Sequence, residues 1–342
     1  MAMKAEFCPN QNGWDTYVDS RPDASMYHRW DWGQLVEHTY GHKAYYLAAT
    51  EGGTFLGALP LVFMKSRIFG DFLVSAPFSS YGGVLSNTLE ARRLLLEKAV
   101  ELAQELRARH VELRQSGPCE VGWEETSAKV RMEVQLPASA EELWNRLSPG
   151  MRNKVRNAHK NKLGIEWHTE EAVDDFYGVF AKNMRDLGTP VYPKIWFENL
   201  CRQFTDHVRI IILRDGKQPV AAGLVTLFRD VAELPWSASL RESRKKYSAV
   251  AMYWALLEWA LQNGYRRVDL GRCTPGSGTY EFKRHWLCKE ITLRWYYWLS
   301  PGATLPELRP ENPRYRWATQ VWRKLPVAVA NWLGPRIVRA IP

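Results

Sequence analysis

The chain has 342 residues, of which 46% are hydrophobic and 24% charged, and it carries a formal net charge of +9. That balance excludes a largely disordered chain, and no apolar run approaches the roughly 18 residues a membrane-spanning helix needs. Five scattered cysteines (8, 119, 201, 273 and 288) without a C-x-x-C pair exclude a disulfide framework and a cysteine-based zinc site, so no metal site is expected. At roughly 150 residues per domain the length suggests two domains, or two plus a tail. The positive charge favours polyanionic partners: nucleic acid, an anionic lipid surface or phosphorylated substrates. The opening MAMKAEFCPNQNGWD lacks the apolar segment of a secretory signal, which predicts a cytoplasmic protein.

In chain order, KAYYLAAT (43–50) and TFLGALPLVF (54–63) predict two strands around an EGG turn. The Gly- and aromatic-rich LVSAPFSSYGGVL (73–85) follows. A helix is predicted from Leu89 to about Arg109, with Leu95, Ala99, Leu102, Ala103 and Leu106 at helical spacing. HVELRQS (110–116) and AKVRMEVQL (128–136) read as strands. The stretch 147–164 is helical and basic. Leu147, Met151, Val155 and Ala158 form its apolar stripe, Arg152, Arg156 and Lys160 an adjacent one, and no Asp or Glu occurs between Leu143 and Ile165. A second helix, about Glu171 to Leu187, has Val173, Phe176, Phe180 and Met184 on its apolar face. Gly188 ends it, and the two-proline TPVYP (189–193) follows.

The strand VRIIILR (208–214), an Asp215-Gly216 turn and the strand QPVAAGLVTLF (218–228) repeat the earlier hairpin. A strand at 231–240, a helix from about Ser248 to Asn263 and strands at 265–273 and 289–299 complete a second pass through the same order. The offset is about 160 residues, and YYLAATEGGTFLGALPLVF and HVELRQS of the first pass match RIIILRDGKQPVAAGLVTLF and RRVDLGRC of the second. Two copies of one α/β unit are therefore expected, with domains at 1–142 and 143–300 and a tail at 301–342. From Asn312 onward that tail has no acidic residue and carries Arg314, Arg316, Arg323, Lys324, Arg336 and Arg339 among Trp317, Val321 and Trp322. This composition suits an anionic membrane surface, or docking on the second domain.

No G-x-S-x-G elbow, H-E-x-x-H or Walker A loop is present. The most distinctive segment is GRCTPGSGTYEFKRHW (271–286), where glycines allow close ligand approach and Lys283 offers a charge to an oxyanion or phosphate. SAPFSSYGG (75–83), with Tyr81, is its counterpart in the first half.

Together, the repeated unit, SAPFSSYGG, R-N-K-V-R-N-A-H-K (152–160), NMRDLGTPVYP (183–193) and SGTYEFKRHW (277–286) resemble the FemAB-like family, and more narrowly its members associated with exosortase/PEP-CTERM systems. The resemblance implies an α/β (α+β) fold of two tandem GNAT-like domains, each a mixed central sheet flanked by helices. It implies an acyl- or aminoacyltransferase, metal-independent, that forms an amide on an amine-bearing cell-envelope or exopolysaccharide precursor. In the family the Lys of F-K-x-x-[FW] lies near the reacting acyl group, which here implies Lys283. The family's basic helix touches anionic parts of the acceptor, which implies Arg152, Arg156 and Lys160. Tyr280 and Tyr192 are expected as orienting hydroxyls, Asp186 or Glu281 as general base, and Trp236, Tyr247, Arg272 and Tyr81 as substrate-lining residues. No permanently bound cofactor is expected; the acyl donor is aminoacyl-tRNA or acyl-CoA. RESRKKYSAVAMYW (241–254) stands where acyl-CoA enzymes carry a glycine-containing loop, which weakens the acyl-CoA reading. An acyl-CoA-dependent N-acetyltransferase and a non-catalytic module binding RNA or anionic membrane are the alternatives.

Overall fold

The computed structural model describes residues 2–66, 70–120, 122–305 and 313–341; the side chains at 313–316, Arg314 and Arg316 among them, lie outside the described residues. In chain order the elements are β1 (Lys4–Phe7), α1 (Gln11–Ser20), α2 (Trp30–Tyr40), β2 (Lys43–Glu51), β3 (Thr54–Ser66), β4 (Gly70–Val74), β5 (Leu85–Ser86), α3 (Leu89–Glu105), β6 (His110–Ser116) and β7 (Glu124–Gln135). There follow α4 (Ala140–Arg146), α5 (Pro149–Lys160), β8 (Gly164–His168), α6 (Val173–Leu187), α7 (Lys194–Gln203), β9 (Val208–Asp215), β10 (Gln218–Phe228), β11 (Val231–Ser239), α8 (Ser248–Gln262), β12 (Arg267–Cys273), α9 (Gly278–Arg284), β13 (Lys289–Leu299), α10 (Pro313–Trp322) and α11 (Val327–Val338).

The chain divides into two compact units. Unit 1 comprises Met1–Lys129, Thr292–Leu308 and Arg339–Pro342; unit 2 comprises Val130–Ile291 and Arg309–Val338. Within unit 1 the strand order is β1-β2-β3-β4-β6-β13, with β5 on β3. The β2–β3 hairpin closes through Gly52 and Gly53, whose φ angles of 57° and 86° suit a type I′ turn that other residues resist. Helix α3 starts on a Thr88 side-chain cap and buries Ala91, Leu95, Ala99 and Leu102 against β2, β3 and β6.

Within unit 2 the order is β7-β12-β11-β10-β9-β8. Helix α8 buries Val250 to Leu257 without a break, as expected of a helix enclosed on all sides. It lies between the sheet and α5, whose Met151, Val155 and Ala158 turn inward. Helix α6 crosses β9, β10 and β11, and α7 packs on α6. Side chains alternate along a strand. Gly223 of β10 meets Met252 of α8, whereas Trp236, paired with the next residue, Leu224, meets Phe197 of α7. Helices α7 and α8 therefore cover opposite faces.

The expected boundaries at 142/143 and 300/301 do not coincide with these units. The second half of β7 pairs antiparallel with β12 inside unit 2, from Val130↔Cys273 to Gln135↔Arg267. Leu293–Leu299 of β13 pair with β6 inside unit 1. Each copy's last strand thus completes the sheet of the other unit, and strand periodicity carries no information about which partner a strand takes. The tail is likewise not a separate region. Residues 313–338 pack on unit 2: Arg185 donates to the Leu325 carbonyl at 2.8 Å, and Gly334 approaches the Val191 backbone so closely that a Cβ there would lie 2.8 Å from its nitrogen.

Candidate functional site

The site of interest in unit 2 lies where β11 and β12 part. These strands pair in parallel only over Val231↔Arg267, Ala232↔Val268 and Glu233↔Asp269. Immediately beyond, both strands bulge. β11 gains a residue between Glu233 and Trp236, where Pro235 offers no N–H to a ladder, and β12 gains one between Asp269 and Arg272, where Gly271 takes φ +79°. A Cβ on Gly271 would sit 3.0 Å from the Leu234 carbonyl oxygen and 3.7 Å from Lys283 Nζ, so glycine keeps the parting open at this level.

Lys283 fills that point. The short helix α9, started by a Ser277 cap, ends within the F-K-x-x-W segment: Phe282 and Lys283 lie in its last turn and Trp286 just beyond it. Phe282 and Trp286 stand one turn apart and pack on Tyr253 of α8, with ring centroids at 4.9 and 5.9 Å. Trp286 is fully buried. These two anchors turn the intervening Lys283 inward, where it is 5% exposed and its Nζ donates to the carbonyls of Gly271 at 3.0 Å and Arg272 at 3.1 Å. Burial holds the Lys283 ammonium below the ordinary lysine range, against the opposing pull of Cys273, Asp269, Cys288 and Glu233. The Cys288 thiol beside it is pushed up to about 12 by burial, so it is a neutral neighbour rather than a nucleophile.

The sequence reading missed a row of buried acids at the same level. Register places Glu233, Asp269 and Glu133 side by side on β11, β12 and β7. Their apolar neighbours Ala232, Leu234, Val268, Leu270, Met132 and Val134 belong to the α8-side core, so the acids occupy the other face. Arg131 bridges Glu133 at 2.8 Å and Asp269 at 2.9 Å. Asp269 also accepts the Gly271 N–H at 2.8 Å, which fixes the residue whose carbonyl receives Lys283. The available signal was one acid in each of three apolar runs: AELPW, VDLG and MEVQ.

The remaining expected residues fall into three groups. Tyr280 and Arg272 adjoin Lys283: Tyr280 lies on α9 and donates to Glu290 at 2.7 Å, a bond that raises its hydroxyl pKa, and Arg272 supplies its carbonyl. A second group surrounds the turn 241–247. Tyr247, in the left-handed region at φ 57°, leads into α8; Asn161, next to Lys160 at the end of α5, donates to the Lys246 carbonyl at 3.1 Å; and Arg241 donates to the Asp186 carbonyl at 2.8 Å. The Asp186 carboxylate accepts from Arg185 at 2.8 Å, and no described contact joins it to Lys283. Arg156 and Lys160 are exposed and Arg152 half-buried; the Arg156 guanidinium lies 5.3 Å from the Trp144 ring. The third group is core. Trp236 is 5% exposed and, with Tyr192, Trp196 and Phe197, forms an aromatic cluster under α7.

Unit 1 holds the corresponding point in a closed form. β4 and β6 pair in parallel over Leu73↔Val111 and Val74↔Glu112 and then part. Where V-D-L-G of β12 has Gly271, V-E-L-R of β6 has Arg114. Its guanidinium is buried, bonded to Glu112 at 2.7 Å and to the Ser79 carbonyl at 2.8 Å, and lies 4.4 Å from the Trp295 ring. The segment Ser75–Gly82 folds over it through Ser75, which accepts the Arg114 N–H, and Gly82, which donates to the Arg114 carbonyl. Tyr81 lies in this segment, edge-on to Tyr27 at 5.6 Å.

Residues 146–284 match the family model of an acetyltransferase (GNAT) domain. The structure is similar to that of FemX, with a TM-score of 0.71 and 14% identity over 94% of this chain and 100% of that one. It is also similar to the C-terminal domain of a putative lysylphosphatidylglycerol synthetase from Agrobacterium fabrum, with a TM-score of 0.58 and 12% identity over 82% and 89% of the two chains. A tandem GNAT protein from the clavulanic acid biosynthesis pathway gives 0.52 and 12% over 87% and 98%. The fold is tandem GNAT-like. No curated protein sequence matches the chain.

Proposed function

We propose that the protein is a GNAT-type acyltransferase of FemAB-like character, which forms an amide by moving an acyl or aminoacyl group onto an amine of an anionic cell-envelope precursor. The observation that carries this reading is Lys283 held by two backbone carbonyls where β11 and β12 part. Support also comes from the GNAT domain match over 146–284 and from the likeness in fold to FemX. The segments that resemble the exosortase/PEP-CTERM-associated branch favour an exopolysaccharide or envelope precursor as acceptor.

In this reading the acceptor amine attacks the carbonyl carbon of the donor ester or thioester. A C–N bond forms, the carbonyl electrons move to oxygen, and collapse of the adduct expels the alkoxide or thiolate, which takes up the proton the amine loses. An ammonium has three donors. Lys283 spends two on Gly271 and Arg272, and the third serves the oxyanion. Such a donor contributes on the order of 10²–10³ in rate where water is excluded. Tyr280 and Arg272 adjoin the same point, and Asp186 is the proposed relay that passes the amine's proton to the leaving group. Arg152, Arg156 and Lys160 offer cationic contacts to the acceptor's anionic groups. The donor is aminoacyl-tRNA or acyl-CoA, and titration calorimetry with each separates the two.

Lys283→Met, which keeps the stem and removes the charge, is expected to lower transfer at saturating substrate by about 10²–10³-fold with the fold intact. Transfer by a folded Lys283→Met protein at the wild-type rate overturns the assignment.

A further inference from the structure

We infer that α10 and α11 form a peripheral docking surface for an anionic lipid bilayer. The proposal does not rest on the transferase reading. Among the described side chains, both helices are held to unit 2 along one side. On α11 that side is Ala330, Gly334 and Val338, all buried and four residues apart, with Gly334 against Val191. On α10 it is Thr319, which meets Gly188, while Arg323 just beyond donates to the Leu187 carbonyl at 3.2 Å.

Helical geometry sets what lies opposite. Trp317 and Val321 stand two residues either side of Thr319, about 160° from it at 100° per residue. Trp332 is likewise two residues from both Ala330 and Gly334. The exposures agree: 69% for Trp317, 61% for Trp332, 40% for Val321 and 39% for Val329. Two indole rings left this open on consecutive helices are unusual for a surface that meets only water.

The charge around them has one sign. Lys324 and Arg336 are exposed, and no acidic residue occurs from Asn312 to the end of the chain. The Arg336 guanidinium lies 4.1 Å from the Trp332 ring, so cation and indole present together. Indole rings that enter the headgroup layer beside cations are the chemistry of an interfacial helix rather than a spanning one. Among the described residues no helix is long and apolar enough to cross a membrane. An anionic bilayer supplies both complements at once: acyl chains for the indoles and phosphates for the cations. A polynucleotide also satisfies the charge, yet it gives Val321 and Val329 nothing to bury against.

The experiment is co-sedimentation of the full chain with phosphatidylcholine vesicles and with vesicles containing a quarter phosphatidylglycerol. Binding is expected to the anionic vesicles only and to fall steeply between 50 and 500 mM salt. Joint Trp317→Ala and Trp332→Ala replacement is expected to weaken it at least tenfold. Joint Lys324→Glu and Arg336→Glu replacement is expected to weaken it about thirtyfold or more. Melting curves that match the wild type show the variants folded. No pelleting at 50 mM salt overturns the proposal, as does undiminished pelleting of the folded Trp variant. Binding of tRNA through the same two cations, with vesicles ignored, overturns it in favour of a nucleic-acid surface.

Discussion

Lys283 is a charged group placed where charge is costly, and that sets its expected pH behaviour. Burial lowers its pKa from 10.5 although Asp269 and Glu233 pull the other way. Between the lowered value and 10.5 the unfolded lysine holds a proton that the folded one has released, so this group makes the protein more stable as pH rises through that window. Activity moves the opposite way, because the oxyanion needs the ammonium. A pH–rate profile is expected to show a basic limb below 10.5, and Lys283→Arg, whose guanidinium does not titrate there, is expected to lose that limb. Asp269 acts on the same atoms at one remove, through the Gly271 N–H and Arg131. Asp269→Ala removes the fully buried carboxylate that holds both the Gly271 N–H and the half-buried Arg131, and is expected to cost about 3–5 kcal/mol in denaturant melts. Gly271→Ala adds a Cβ at φ +79° and 3.0 Å from the Leu234 carbonyl, and is expected to cost more than about 1–2 kcal/mol while displacing Lys283.

Among the elements, those with a repeating pattern were legible. The two hairpins declared themselves through EGG and Asp215-Gly216, α5 through its Met151–Val155–Ala158 stripe, and α6 through Phe176 and Phe180 with the Gly188 stop. Helix α9 was not predicted, because seven residues are too few for a period and TPGSGT reads as a loop until Ser277 is seen capping it. The bulges in β11 and β12 were equally hidden: Pro235 and Gly271 mark them, but only register shows that both fall just past Glu233↔Asp269. The motif singled out Lys283, which lies buried where β11 and β12 part, while the acid row beside it was visible only as charge in apolar strands. Helix α11 shows how a small residue controls an element's position. Val191 backbone atoms lie 2.8 and 2.9 Å from where a Gly334 Cβ would be, and backbone cannot yield as a side chain can. Gly334→Ala is expected to loosen α11 from α6, read as faster hydrogen exchange across 327–338 with the strands of unit 2 unchanged.

For the molecule as a whole, the least legible feature is the exchange of terminal strands. The internal repeat, strongest in YYLAATEGGTFLGALPLVF against RIIILRDGKQPVAAGLVTLF, describes two similar units correctly, and it invites a cut between them near residue 142. Unit 1 is incomplete at that cut. β13 supplies seven register pairs to β6, from Leu293↔Ser116 to Leu299↔His110. Trp295 covers the buried Arg114 guanidinium, and the Tyr296 hydroxyl accepts the Cys119 N–H at 2.9 Å. A fragment ending at 142 would expose β6 as an open sheet edge and leave the Arg114–Glu112 pair uncovered, both costly and prone to association. Residues 1–142 alone are expected to aggregate or to show the broad, weakly cooperative melt of a partly packed state. The same fragment joined through a flexible linker to 289–305 is expected to regain a cooperative transition in circular dichroism. A cooperative melt from 1–142 by itself would mean that β13 contributes little to unit 1.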